Sequence, residues 1–79
     1  MTKDKIANDS YRKFLYFYEN KIKVHFKDFD EIFYNGEIIE LNLDNLSMVF
    51  NENVKGTIPI LLECINPDSI RKFEEKKRW

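Results

Sequence analysis

The sequence predicts a mostly β domain: an N-terminal α-helix followed by five strands bent into one small antiparallel barrel. Three observations predict it. Apolar residues recur at helical spacing as far as Glu19, with no Gly or Pro among them. From Lys21 onward the pattern changes to two-residue alternation broken by short polar turns. The longest extended segment has one glycine, Gly36, inside it, so a single strand can bend to serve two sheets in a chain of only 79 residues.

The helix is expected over about residues 4–19. Ile6, Ser10, Tyr11, Phe14, Leu15 and Tyr18 lie on one stripe, which Phe17 widens. A stripe of that width packs on a sheet. Asn20 is the expected C-terminal stop. Lys21-Ile22-Lys23-Val24-His25-Phe26-Lys27 then alternates, with Ile22, Val24 and Phe26 facing a core and the lysines and His25 facing water. Asp28-Phe29-Asp30-Glu31 reads as a turn. Ile32 to Leu43 reads as the long second strand, with Gly36 at a bend or close backbone approach and Ile39, Leu41 and Leu43 sharing a face.

Asp44-Asn45 is a turn signal, and Leu46, Met48 and Phe50 alternate as a third strand. Asn51 to Gly56 reads as a loop. Thr57 to Leu62 is the fourth strand, with Ile58, Ile60 and Leu62 on one side. Pro59 has no N–H to give a ladder, so that strand belongs at an edge or a bulge. Glu63-Cys64-Ile65 fits one tight helical turn and Asn66-Pro67-Asp68 another turn. Ser69-Ile70-Arg71 is a short closing strand, and 72–79 is a charged, fraying tail. The whole chain is thus one domain, with the barrel over about residues 21–71.

Composition narrows the function. The chain has 43% hydrophobic and 15% aromatic residues, enough for a globular core. There is no apolar run of the ~20 residues a membrane span needs, and Met1-Thr2-Lys3-Asp4-Lys5 lacks the apolar stretch of a secretion signal. The expected location is the cytoplasm, with the one cysteine, Cys64, a reduced core filler. One His and one Cys make no conventional zinc site, and no cofactor is expected. The serines Ser10, Ser47 and Ser69 have no base in a nucleophile arrangement, and two glycines make no phosphate-cradling loop. An enzyme with a small-molecule substrate is not expected. A core this small, without disulfide or metal, leaves oligomerisation as its reinforcement.

Net charge is −1, but charge is segregated along the chain. Residues 12–27 carry Arg12, Lys13, Lys21, Lys23 and Lys27 against Glu19, a net of +4; residues 28–68 carry −8; residues 69–79 carry +3, including Arg71 and Lys72. Basic ends around an acidic middle suit a two-sided molecule.

The residues Val24-His25-Phe26-Lys27, Phe33-Tyr34-Asn35-Gly36-Glu37-Ile38-Ile39-Glu40-Leu41-Asn42 and Leu46-Ser47-Met48-Val49-Phe50, with Gly56-Thr57-Ile58-Pro59-Ile60 after them, resemble the Sm-like family, the small SH3-like barrels of Sm, LSm and Hfq proteins. The likeness covers roughly residues 10–71, and Gly36 stands where that family bends its second strand. The resemblance implies subunits joined edge to edge into a ring or dimer, with Pro59, Ile60, Ser69 and Ile70 at the joining edges. It also implies single-stranded RNA as partner, held in part by the loop after the bent strand, here Asn42, Asp44 and Asn45. Where the family carries Arg-Gly in a second loop, this chain reads Leu62-Glu63-Cys64-Ile65. The basic residues Arg12, Lys13, Lys21, Lys23, Lys27, Arg71 and Lys72 are the expected phosphate contacts, and Tyr11, Tyr16 and Trp79 the candidates for stacking on bases. The alternative is an assembly subunit that pairs its edge strands with a protein neighbour and binds no nucleic acid.

Overall fold

The computed structural model of the chain describes residues 3–74. Helix α1 spans Lys3–Glu19, and five strands follow: β1 Val24–Lys27, β2 Phe33–Asn42, β3 Ser47–Glu52, β4 Gly56–Leu61 and β5 Arg71–Lys72. Two 3₁₀ turns, Leu62–Cys64 and Pro67–Ser69, separate β4 from β5. The strands form one antiparallel sheet in the order β4-β3-β2-β1-β5.

Helix α1 ends as the sequence predicts, but one residue beyond the expected stop turns the chain. Lys21 is left-handed at φ 53°, the Ile22 N–H reaches back to the Phe17 carbonyl at 2.9 Å, and the Lys21 N–H reaches Tyr18 at 3.3 Å. This is the paired closure of a Schellman C-terminus, with lysine where glycine is commoner. The buried face is Ala7, Ser10 and Phe14, with Tyr11 and Phe17 packed beside them. Tyr18, expected on that stripe, is 37% exposed at the helix's C-terminal end.

The core joins helix to sheet through rings. Phe26 sits at its centre, edge-on to Phe14 at 5.1 Å and to Phe50 at 5.0 Å, and stacked on Tyr34 at 5.2 Å. Phe14, Phe26 and Phe50 are wholly buried, so one cluster ties α1 to β1 and β3. Burying three such rings is worth several kcal/mol, the largest block of apolar burial in a core this small.

Gly36 faces inward where the β3 backbone lies close against β2. A Cβ there would lie 2.0 Å from the Asn51 carbonyl oxygen. Two residues further on, β2 carries a bulge: Ile38 pairs with Phe50 but Glu40 pairs with Val49, which leaves Ile39 as the extra residue. This corrects the expected face of Ile39, Leu41 and Leu43. Ile38 is buried, Ile39 and Leu43 are half exposed, and only Leu41 turns back onto the core. One extra residue inverts the alternation and bends the strand.

Other boundaries shift for local reasons. β1 begins at Val24, because the helix closure occupies Lys21 and Ile22. β3 runs on through Asn51 and Glu52, read from sequence as loop; the loop itself is Asn53 to Lys55. The closing strand is Arg71–Lys72, while Ser69 belongs to the second 3₁₀ turn. Cys64 is exposed, not a core filler, because the Leu62–Cys64 turn spends its inward positions on Leu62 and Ile65. The helix followed by five antiparallel strands is the expected architecture, and among the described residues no strand pairing joins β4 to β5. β4 and β5 are the sheet's two edges, and the chain between them is used up by the two turns, with a single Asp28–Ile65 bridge near the gap. Of the expected tail, residues 75–79 lie outside the described residues.

Candidate functional site

β1 pairs with β5, and that pairing brings Arg71 and Lys72 beside the first strand. Val24 stands opposite Lys72 and His25 opposite Arg71, and the Phe73 N–H continues the ladder to the Lys23 carbonyl at 3.0 Å. Lys23, Arg71 and Lys72 are all exposed at this edge. Lys13 joins the same end of the chain, its Nζ donating to the Pro67 carbonyl at 2.8 Å. Arg12 is exposed on α1 and Lys21 at its C-terminal turn.

The outward face of the sheet continues from this edge. Alternation puts Lys23, just before β1, and His25 and Lys27 of β1 on it, followed by Phe33, Asn35 and Glu37 of β2. Phe33 is 55% exposed and stacks on the His25 ring, with centroids 5.3 Å apart and planes 11° apart. The Asn35 amide oxygen accepts from His25 Nδ1, which fixes the imidazole. Lys27 Nζ lies 5.9 Å from the Phe33 centroid and 2.6 Å from Glu31 Oε2, a solvent-exposed pair of small worth.

Asn35 is itself held from behind by a buried acid. Glu52 Oε2 accepts from the Asn35 N–H at 2.9 Å, and Oε1 accepts from Val54 and Lys55 N–H at 2.8 and 2.9 Å. Burial pushes this carboxyl up, but the three N–H donors and the Lys55 charge outweigh it and hold Glu52 below its ordinary range. A buried carboxylate thus closes the β3–β4 turn and sets the backbone under the His25–Phe33 pair.

The opposite edge has different chemistry. Beside β4 a cleft of about 560 Å³ is lined by Ile58, Pro59, Ile60 and Leu61, by Phe29 and Tyr34, and by Asp28, Asp30 and Glu63. Asp28 accepts from the Asp30 and Ile32 N–H groups and from the Tyr34 hydroxyl at 3.2 Å. Burial, the hydrogen bond to Asp28 and the negative charge around it push the Tyr34 phenol above its ordinary value.

Several sequence-predicted residues serve the fold locally. Asn42 accepts from the Asp44 and Asn45 N–H groups, and Asn45 accepts from Ser47 Oγ, so this trio builds the β2–β3 turn. It lies six residues along β2 from Gly36, roughly 20 Å along that strand from the residue paired with Val24. Of the expected joining residues, Pro59 and Ile60 do lie on the free β4 edge. Ser69 Oγ instead accepts from the Lys27 N–H and donates to the Asn66 carbonyl, and Ile70 packs on the core. Tyr11 is packed and Tyr16 is 59% exposed, edge-on to Phe17; Trp79 lies outside the described residues. Sequence reasoning missed Phe33, Asn35 and Glu52. Phe33 had a signal: it shares parity with Asn35 and Glu37, an aromatic on a polar face.

Among the described residues no group of His, Cys, Asp and Glu could hold a metal ion, and no helix is long and apolar enough to cross a membrane. Comparison with family models, curated proteins and solved structures finds no match to this chain.

Proposed function

We propose that this domain is a non-enzymatic, single-stranded RNA-binding module that works in the cytoplasm as a homo-oligomer, on the plan of the Sm-like barrels it resembles. One observation carries the reading. The β1–β5 pairing gathers Lys23, Arg71 and Lys72 from separate basic stretches at one edge, away from the acids of the β4 cleft. Phosphates are attracted to the first edge and repelled by the second. The same segregation supports self-association, since the basic edge of one copy complements the acidic cleft of another. The exposed thiol of Cys64 suits a reducing compartment.

The test is fluorescence anisotropy with short oligo-U and oligo-A RNA across a salt series, paired with size-exclusion chromatography and light scattering. Three phosphate contacts predict a slope of log affinity against log salt of about −2 for a single strand. Arg71→Glu with Lys72→Glu is expected to flatten that slope. A titration with no binding at low salt sinks the nucleic-acid reading.

A second reading has its own support in the free β4 edge and its apolar cleft, which suit an extended protein segment added as a further strand. Light scattering separates the two: assembly that is indifferent to RNA, with no RNA bound, selects this one.

A further inference from the structure

We infer that the Phe33 ring on the outward face of β1 and β2 is a stacking platform for one unpaired nucleobase, with the phosphates on either side held by Lys27, Arg71 and Lys23. This inference rests on the RNA-binding reading and names the ligand group that the site takes.

An exposed phenylalanine in a polar face costs solubility and strand-face chemistry, and here its position is built rather than incidental. Its ring is backed by a nearly parallel imidazole at 5.3 Å. That imidazole cannot turn freely, since its Nδ1–H is committed to the Asn35 amide oxygen. The Asn35 backbone is in turn fixed at both ends. Its N–H is bound to the Glu52 carboxylate, and its carbonyl accepts from the Asn53 N–H at 2.8 Å. A flat π surface held in advance loses little entropy on binding, which is what a stacking site needs.

The surroundings select the ligand class. The cations lie on the ring's own face of the sheet: Lys27 Nζ sits over the ring, 5.9 Å from its centroid, on a side chain an incoming base can displace, with Arg71 across from His25 and Lys23 two residues along the strand. A flat ring between cations matches an unpaired base between two phosphates. Duplex nucleic acid offers no free base face, so the platform discriminates against it. Glu31 shares Lys27 only through an exposed pair, which a phosphate can displace.

The experiment is anisotropy with fluorescein-labelled oligo-A and oligo-U single strands and with the oligo-A·oligo-U duplex. Wild type is compared with Phe33→Ala, Phe33→Leu, Phe33→Trp and the Arg71→Glu/Lys72→Glu pair. Phe33→Ala and Phe33→Leu are each expected to weaken single-strand binding about tenfold with an unchanged salt slope, while Phe33→Trp retains or tightens it. Leucine keeps the apolar bulk, so it separates the π surface from the fold, and a circular dichroism melt checks each variant. If Phe33→Leu binds as tightly as wild type while the charge reversal still weakens binding, the platform is wrong and the electrostatic reading stands. Equal affinity for the duplex overturns the platform as well. If wild type binds none of the strands, both fall.

Discussion

Glu52 is the one buried acid among the described residues, and replacing it with glutamine is expected to lower stability by about 2–3 kcal/mol. The number comes from its partners. Glu52 has two oxygens with three N–H donors on them: Asn35 on one, Val54 and Lys55 on the other. Glutamine has one acceptor oxygen. It can serve either Asn35 or the Val54–Lys55 pair, and its NH₂ then faces a donor at the other point. One charge-assisted hydrogen bond is worth ~1.5–3 kcal/mol, and the bonds that remain lose their charge assistance. Glu52→Ala strands all three donors; those of Val54 and Lys55 lie in an exposed turn where water replaces the carboxylate, so the expected cost is about 4 kcal/mol. For a domain of this size each kcal/mol moves the melting midpoint by roughly 4–8 °C. Glu52→Gln therefore melts roughly 10–20 °C below wild type by far-ultraviolet circular dichroism. The pH dependence has a definite sign. The folded carboxyl lies below its ordinary value of 4.5, so its stabilisation is fully present above that pH and is lost as pH falls through the lower folded value. The gap between wild type and Glu52→Gln should hold at neutral pH and close in acid. An unchanged midpoint for Glu52→Gln, or a gap undiminished far below pH 4.5, refutes the role given to this carboxylate.

Three further outcomes follow from single contacts. Gly36→Ala puts a methyl 2.0 Å from a backbone carbonyl that cannot swing aside, so β2 and β3 must part; urea unfolding should show a loss of about 3 kcal/mol or more. Ser10 Oγ is buried with no hydrogen-bond partner, so Ser10→Ala removes an unsatisfied group and improves helix propensity, raising stability by about 1 kcal/mol in the same assay. Cys64 is exposed, so iodoacetamide should alkylate it at the rate of a free thiol without denaturant, as followed by mass spectrometry; protection until unfolding would return it to the core.

What the sequence made legible were the patterns that repeat. Helix α1 was readable because 17 residues sample the 3.6-residue period several times, and β1 because Val24 and Phe26 alternate with His25 and Lys27. Pro59 marked an edge because a missing N–H has the same meaning in any sheet. The failures came where one residue changes the parity or where a side chain substitutes for backbone. The Ile39 bulge inverts everything after it, and nothing in Ile38-Ile39-Glu40 announces which residue is extra. Glu52 lies among Asn51, Asn53 and Lys55, a run that reads as solvated loop; only the fold brings the Asn35 N–H of β2 and the Val54 and Lys55 N–H groups of the turn to its carboxylate. The candidate site was half legible for the same reason. Charge blocks are visible along a chain, but whether they meet depends on β5 pairing with β1 across the 43 residues between Lys27 and Arg71. Asn42, Asp44 and Asn45 suit a ligand loop and a turn for the same reason, short side chains with a carbonyl or carboxylate oxygen, and the fold uses Asn42 and Asn45 in the turn.

The open side of the sheet raises the last question, how β4 avoids indiscriminate pairing. The Leu62 N–H donates to the Leu46 carbonyl at 3.0 Å, which makes Leu46–Leu62 a hydrogen-bonded pair and so fixes the alternation along the β3–β4 ladder. Ile60 and Ile58 then bond inward to β3, while Thr57, Pro59 and Leu61 direct their backbone groups to the free side. Pro59 therefore occupies the middle of the three outward positions and deletes the central donor of the exposed edge. Thr57 and Leu61 still offer an N–H on either side of it. A strand added here is held at two points and by side chains in the 560 Å³ cleft, not by a continuous ladder. Pro59→Val restores the missing donor with a good strand former. Its expected effect is stronger, concentration-dependent association in light scattering, with the Val49-facing side of β4 undisturbed. Association identical to wild type across the accessible concentration range would show that β4 is not a pairing edge, and the segregated charges would then serve nucleic acid alone.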